Sequence, residues 1–248
     1  MTDDTENGWT DGPQTDATQT DATQAVAAHW ETEYAGDGKR WSGAVNATTA
    51  DVVATLPVRH GATALELGCG EGADAVWLAG HGYRVTAVDI SATALERGKE
   101  SARVAGVADA VDWVAGDLSE WTTPDTFDLA TASFLHSRVE LPRTRILRRA
   151  ADRVRPGGHL LIVSHAFETP EDVPPWTRRW SEESEARGED THDPFHGLLT
   201  PAEEVAALGL DPDEWETSLC EVRSRTAVGP DGSGEATVKD GIVLMARR

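Results

Sequence analysis

Between Ala62 and His165 the chain repeats one pattern, a short apolar run followed by a turn and then by residues at helical spacing. The runs 62–67, 83–90, 111–115, 127–133 and 159–165 read as strands. Residues 74–79, 91–104 and 147–154 carry the helical spacing, with Ser91 placed as an N-cap and Pro156-Gly157-Gly158 as a stop. Strands separated by helices in this way pair in parallel through right-handed crossovers. Two more strand-like runs, 214–228 and 235–246, are joined by the turn-forming stretch GPDGSG. Neighbours joined by so short a turn pair antiparallel. The expectation is an α/β fold with a doubly wound, seven-stranded sheet, mostly parallel, whose antiparallel strand comes from a C-terminal hairpin.

The flanks read differently. Residues 1–24 hold six acidic residues, no lysine or arginine, and the tandem repeat TDATQ-TDATQ. So little apolar surface does not offset the entropy of ordering, and a disordered acidic tail is expected there. Residues 25–60 carry Trp30, Tyr34 and Trp41 and then a helix over 46–56; they are read as an N-terminal lid and first helix. After residue 166 the alternation lapses into a polar stretch to about residue 200 that contains Trp176, Arg178, Arg179, Trp180, Phe195 and His196. It is read as an inserted substrate-side loop, since a long loop in a compact domain is usually functional or disordered. A short helix is expected near 201–207.

A formal net charge of −21 repels phosphate backbones and anionic membrane surfaces, which argues against nucleic acid and membrane partners. The chain begins without an apolar leader, and a cytoplasmic location is expected. Its two cysteines, Cys69 and Cys220, form no CxxC pair, so neither a metal site nor a disulfide framework is expected.

The chemistry concentrates in ALELGCGEGADA, residues 64–75. Gly68, Gly70 and Ala73 satisfy the G-x-G-x-x-G/A spacing that lets a backbone approach a nucleotide, and Asp89 follows about 20 residues later. On spacing alone a dinucleotide and S-adenosylmethionine both fit. Four features favour the second. Glu66 is poorly placed beside a pyrophosphate but well placed for an ammonium group. Gly72 extends the motif to E-x-G-x-G-x-G. Asp117 follows the third strand, where it can accept from an adenine amino group. The antiparallel hairpin follows the fifth parallel strand.

With LELGCGEG, VTAVDIS, VAGDL, FDLATASFLHS and RVRPGGHLLIV in view, the chain resembles the class I S-adenosylmethionine-dependent methyltransferases, over roughly residues 26–248. GKRWSGAVN and GCGEGADAVWLAGHGYRVTAVDIS resemble the small-molecule branch that contains the tellurite-resistance and thiopurine methyltransferases. The resemblance implies a Rossmann-like fold and S-adenosyl-L-methionine as cofactor, with S-adenosyl-L-homocysteine as product. It places Gly68, Cys69, Gly70 and Gly72 beside the methionine and ribose, and Glu66 near the ammonium. Asp89 is expected on the ribose hydroxyls, Ile90 on the adenine face, Asp117 on the adenine amino group and Leu118 beside the ring. Ser133 is expected near the methionine part, and Trp41 as a cap.

Transfer from a sulfonium methyl needs alignment and exclusion of water more than a catalytic triad. The Asn/Asp-Pro-Pro-Tyr motif of amino methylation and a Pro-Cys nucleophile are both absent from the sequence, which points to a small-molecule acceptor, with a thiol or another soft nucleophile favoured. His136 and His165 follow the fourth and fifth strands and are the candidate acceptor-side catalytic residues. An NAD(P)-dependent oxidoreductase and a non-catalytic cofactor-binding protein on the same fold are the alternatives.

Overall fold

The structure is a computed structural model that describes residues 15–36, 38, 40–137, 139–186, 197–229, 232 and 234–248. Seven strands form one sheet: β1 (Thr63–Leu67), β2 (Arg84–Asp89), β3 (Val111–Ala115), β4 (Phe127–Ser133), β5 (Val154–His165), β6 (Trp215–Val228) and β7 (Glu235–Arg247). Their order is β3-β2-β1-β4-β5-β7-β6. Pairing is parallel from β3 through β5, and β7 runs antiparallel to both β5 and β6. The mostly parallel sheet with an antiparallel contribution from the C-terminal hairpin is therefore present. The direction of winding reverses between β1 and β4, which opens a crevice at the carboxyl ends of these two strands.

The helices are α1 (Thr15–Glu33), α2 (Ala47–Val53), α3 (Ala73–Gly80), α4 (Ala92–Val104), α5 (Arg143–Arg153), α6 (Pro175–Ala186) and α7 (Pro201–Leu208). None among the described residues is long and apolar enough to cross a membrane. Two apolar layers cover the sheet. Leu65, Leu67, Ala130 and Ile162 face α5 and α7, while Ala64, Ala87, Leu161 and Val163 face α2, α3 and α4. Alternate residues of β1 and β5 thus enter opposite layers, as the period of two requires. The Ser91 side chain accepts from the backbone N–H of Ala94 and caps α4, a contact worth about 1 kcal/mol.

Three expectations need correction. The tail expected to lack structure through residue 24 is helical from Thr15 onward. Its C-terminal part is held by long-range contacts: Thr23 Oγ1 donates to Asp117 Oδ2 at 2.9 Å, and the Glu31 carboxylate accepts from Thr93 Oγ1 at 2.5 Å. Residues 1–14 lie outside the described residues. The stretch 166–200 is not wholly loop, because it contains α6, while Phe195 and His196 lie outside the described residues. β5 begins at Val154, ahead of Pro156, because Phe127 pairs with Val154 before the register jumps to Leu129 against His159. The Pro-Gly-Gly segment is a bulge within the strand.

Gly72 shows how the local sequence serves packing. Its φ is 74°, and a Cβ there would lie 2.2 Å from Trp113 Cη2 on β3. Both the left-handed backbone and the indole exclude a side chain. Gly72→Ala is expected to destabilise the protein by about 2–5 kcal/mol, combining backbone strain with overpacking. A urea unfolding series checks this, and Trp113→Leu in the same chain should recover the overpacking part alone.

Candidate active site

The turn after β1 is held by the end of β2. The N–H groups of Gly68 and Cys69 both donate to Val88 O, at 2.9 and 3.1 Å. Gly70 N donates to Asp89 Oδ2 at 2.7 Å, and Ser91 N donates to Asp89 Oδ1 at 2.9 Å. One carboxylate thus ties the glycine turn to the start of α4. Gly68, at φ 67°, packs against the β4 side of the crevice, where a Cβ would lie 2.7 Å from Leu135 Cδ1.

Three carboxyl groups lie buried around this turn: Glu66, Asp74 and Asp89. Burial raises the pKa of each. For Glu66 the charges of Asp74 and Asp89 add to that rise. For Asp74 and Asp89 backbone N–H bonds pull the other way, the Asp74 one coming from Asn46 at 2.8 Å. Glu66 Oε2 and Asp74 Oδ2 are shut off from solvent without a hydrogen-bond partner. Among the described residues none of the three forms an ion pair. Burying unpaired acids is costly, and this arrangement suits a cationic ligand.

The segment after α1 covers the turn. A Cβ on Gly70 would meet Tyr34 Oη at 3.0 Å and Trp41 Nε1 at 3.8 Å. Trp41 Nε1 donates to Tyr34 Oη at 3.1 Å. Glu71 anchors this cover: its carboxylate accepts from the backbone N–H groups of Arg40 and Trp41, both at 3.0 Å, and from Arg97 Nη1 at 2.8 Å. Arg97 Nη2 donates in turn to Tyr34 O and Gly36 O. The Trp41 ring meets Trp180 of α6 edge-on at 6.5 Å, so the inserted segment and the N-terminal cover touch.

On the opposite wall Ser133 Oγ and Thr49 Oγ1 share a hydrogen bond of 2.7 Å at the end of β4. His136 and His165 stack with centroids 5.7 Å apart. Burial holds both well below the ordinary value of 6.5, His136 at about 3 and His165 at about 4. Both rings are therefore neutral near pH 7, which makes them hydrogen-bonding groups and poor proton acceptors.

The structure brings together Glu66, Gly68, Cys69, Gly70, Asp89 and Trp41 around the turn, and sets Ser133 against Thr49 at the end of β4. Cys69 is buried and its thiol is pushed up by burial and by Asp89, which fits a packing role rather than a nucleophile. Gly72 serves Trp113. Ile90 is half-buried just past β2. Asp117 accepts from Ser119 N at 2.8 Å and from Thr23. Leu118 packs in the core layer under α5, with Leu65 and Ile146. Tyr34, Glu71, Asp74 and Arg97 were not legible as site residues. Only Glu71, an acid between two turn glycines, carried a local signal.

Glu66 gives a pH test. A carboxyl whose folded-state pKa is raised penalises the native state increasingly as pH climbs from the ordinary value of 4.5 through the folded value. His136 and His165, whose values are lowered, act in the opposite sense, but they are common to wild type and variant. Glu66→Gln is expected to raise the melting temperature of the ligand-free protein at about pH 8, with a gain that shrinks towards about pH 5. Thermal denaturation of both proteins across that range measures the difference.

Residues 64–158 match the methyltransferase domain family. The 27-O-demethylrifamycin SV methyltransferase of Amycolatopsis mediterranei is 37% identical over 110 residues, covering 43% of this chain and 40% of that protein. The ribosomal RNA small subunit methyltransferase C of Chromohalobacter salexigens is 32% identical over 130 residues, covering 48% and 37%. The chain thus spans about two fifths of the length of these curated relatives. Among solved structures, the N-methyltransferase NodS from Bradyrhizobium japonicum, in complex with S-adenosyl-L-homocysteine, superposes with a TM-score of 0.57 at 18% identity, covering 90% of this chain and 98% of that one. Residues 64–158 of this protein match the methyltransferase domain family, and the chain shares the fold of the NodS structure.

Proposed function

We propose that this protein is an enzyme that transfers a methyl group from S-adenosyl-L-methionine to a small molecule. The observation that carries this reading is the buried set of Glu66, Asp74 and Asp89, with two orphaned oxygens and, among the described residues, no cation paired to any of the three. The cofactor brings an ammonium and a sulfonium to that set, whereas a dinucleotide brings a pyrophosphate whose charge the carboxylates repel.

When bound, the cofactor supplies a methyl carbon already activated for in-line displacement. The residues of the chain then bind and orient. Glu66 receives the ammonium. Asp89, whose oxygens each hold one backbone N–H, has lone pairs left for ribose hydroxyls. Ile90 packs on the adenine, and Asp117 takes its amino group. Tyr34 and Trp41, clasped by Glu71 and Arg97, close over the turn and exclude water. With neutral histidines on the opposite wall and no strong base among the described site residues, the acceptor is nucleophilic without strong base assistance, as a thiol or another soft group is. The net charge of −21 favours a small molecule over nucleic acid, although one of the relatives is named for ribosomal RNA.

Calorimetric titration of S-adenosyl-L-homocysteine and of NAD tests this reading. Binding of the first alone is expected. Asp89→Ala should weaken it by about 10–100-fold, the range for losing charge-assisted hydrogen bonds. Binding of NAD alone would reassign the turn to a dinucleotide.

A further inference from the structure

The wall facing the carboxylates is built differently from them. At the end of β4 the chain makes a contorted step. Phe134 has φ 52°, alone among the described non-glycine residues in the left-handed region. Its N–H donates to Val163 O at 2.8 Å, and His136 N donates back to Phe134 O at 2.7 Å, closing a three-residue turn about Leu135. Arg143 Nε holds Leu135 O from outside at 3.0 Å. A bulky residue held in this conformation costs about 1–3 kcal/mol, and such strain concentrates at sites of function.

This step places rings. His165 stacks on Phe134 at 4.4 Å, on Phe167 at 4.8 Å and on His136 at 5.7 Å, with interplanar angles of 26°, 17° and 18°. The four rings share nearly one orientation. His136 Nε2 is shut off from solvent and has no hydrogen-bond partner, although the ring around it is only half-buried. A buried ring nitrogen left unpaired costs about 1–3 kcal/mol, and in the tautomer protonated at Nδ1 it is an acceptor that a ligand hydroxyl or thiol satisfies. The charges near the ladder are already balanced. Arg225 pairs with Asp240, which sits opposite His165 in the β5–β7 register, and Arg143 pairs with Glu204. The acidic glycine turn and the step that carries the rings meet where Leu135 fills the space beside Gly68.

We infer that the methyl acceptor is a planar aromatic molecule whose ring lies against the Phe134–His165–Phe167 ladder and whose hydroxyl or thiol donates to His136 Nε2. This rests on the methyltransferase reading and deepens it by naming the acceptor class. It gives His136 a specificity role, in which a neutral imbalance of one acceptor nitrogen selects a donor-bearing ring. Aromatic hydroxyls and thiols also ionise more readily than alkyl alcohols, which suits a wall without a strong base.

The test uses the full-length protein saturated with S-adenosyl-L-homocysteine, so that ligand binding is read without turnover. Four probes of similar size separate the terms: 1-naphthol, naphthalene-1-thiol, naphthalene and decahydro-1-naphthol. Calorimetry or competition is expected to show 1-naphthol or the thiol bound about tenfold more tightly than naphthalene and than the saturated alcohol. Which of the two aryl probes binds better distinguishes oxygen from sulfur acceptors. His136→Phe keeps a flat ring but removes the nitrogen. It should leave affinity for S-adenosyl-L-homocysteine within about twofold, abolish the preference for 1-naphthol over naphthalene, and leave naphthalene itself unaffected. His136→Gln restores an acceptor atom and should recover part of that preference. Equal binding of the saturated alcohol, or an undiminished naphthol preference in His136→Phe, would overturn the assignment while the methyltransferase reading stands. Failure of the wild type to bind S-adenosyl-L-homocysteine at all would overturn both.

Discussion

The carboxylate of Asp89 organises the crevice. It closes β2, and through its two oxygens it fixes the turn after β1 at Gly70 and the start of α4 at Ser91. Charge-assisted bonds to backbone N–H groups are worth about 1.5–3 kcal/mol each, enough to hold a glycine turn that would otherwise sample many conformations. The same carboxylate sits close enough to Glu66 to raise its proton affinity. The geometry that shapes the turn is therefore also what concentrates negative charge there. A fold selected for stability alone would not bury three acids against one another.

The cost is contained by α2 and the residue before it. Asn46 donates its backbone N–H to Asp74, while Thr49 reaches Ser133 on β4. One residue earlier, Thr48 donates to Asp240 on β7 at 2.6 Å. This short helix therefore bridges the acidic half of the crevice to the charge-balanced half. Its N-cap, Asn46, accepts from Thr49 N, which sets the direction from which both threonines enter. The charge divides because Asp240 and Glu204 each have an arginine and, among the described residues, Glu66, Asp74 and Asp89 have none.

The sheet was legible from sequence because its signals are local and repeated. Apolar runs of five to eight residues, each ending at or just before Gly or Ser, mark β1, β2, β3 and β4 within a residue or two. The hairpin was legible from its turn. What escaped depends on distant partners. α1 reads as a polar repeat, and only Thr23 meeting Asp117 and Glu31 meeting Thr93 show where it docks. The start of β5 escaped because Pro156-Gly157-Gly158 is turn chemistry that here forms a bulge against β4. Within the site, Gly68, Gly70 and Asp89 were legible because a motif spaces them. Tyr34 and Arg97 were not, since a tyrosine and an arginine 63 residues apart meet only after the crossover brings α4 beside the N-terminal segment.

The step at Phe134 shows why a site can be strained without unsettling the fold around it. Its left-handed backbone and the unpaired His136 nitrogen fall within three residues, at the point where the strand order reverses. Neither contributes to the packing of the sheet. The groups that hold the step come from elements already fixed for other reasons: Val163 O from the interior of β5, and Arg143 from the first turn of α5, with its remaining donors on Ser164 and Glu204. Arg143 thus ties the strained step to β5 and α7 together. Relaxing Phe134 to an ordinary conformation would require breaking the bond to Val163 and withdrawing Leu135 from Gly68, a glycine with no room for a side chain of its own. The strain persists because the turn that shapes the acidic half and the step that shapes the aromatic half interlock at that contact, so neither half can rearrange alone.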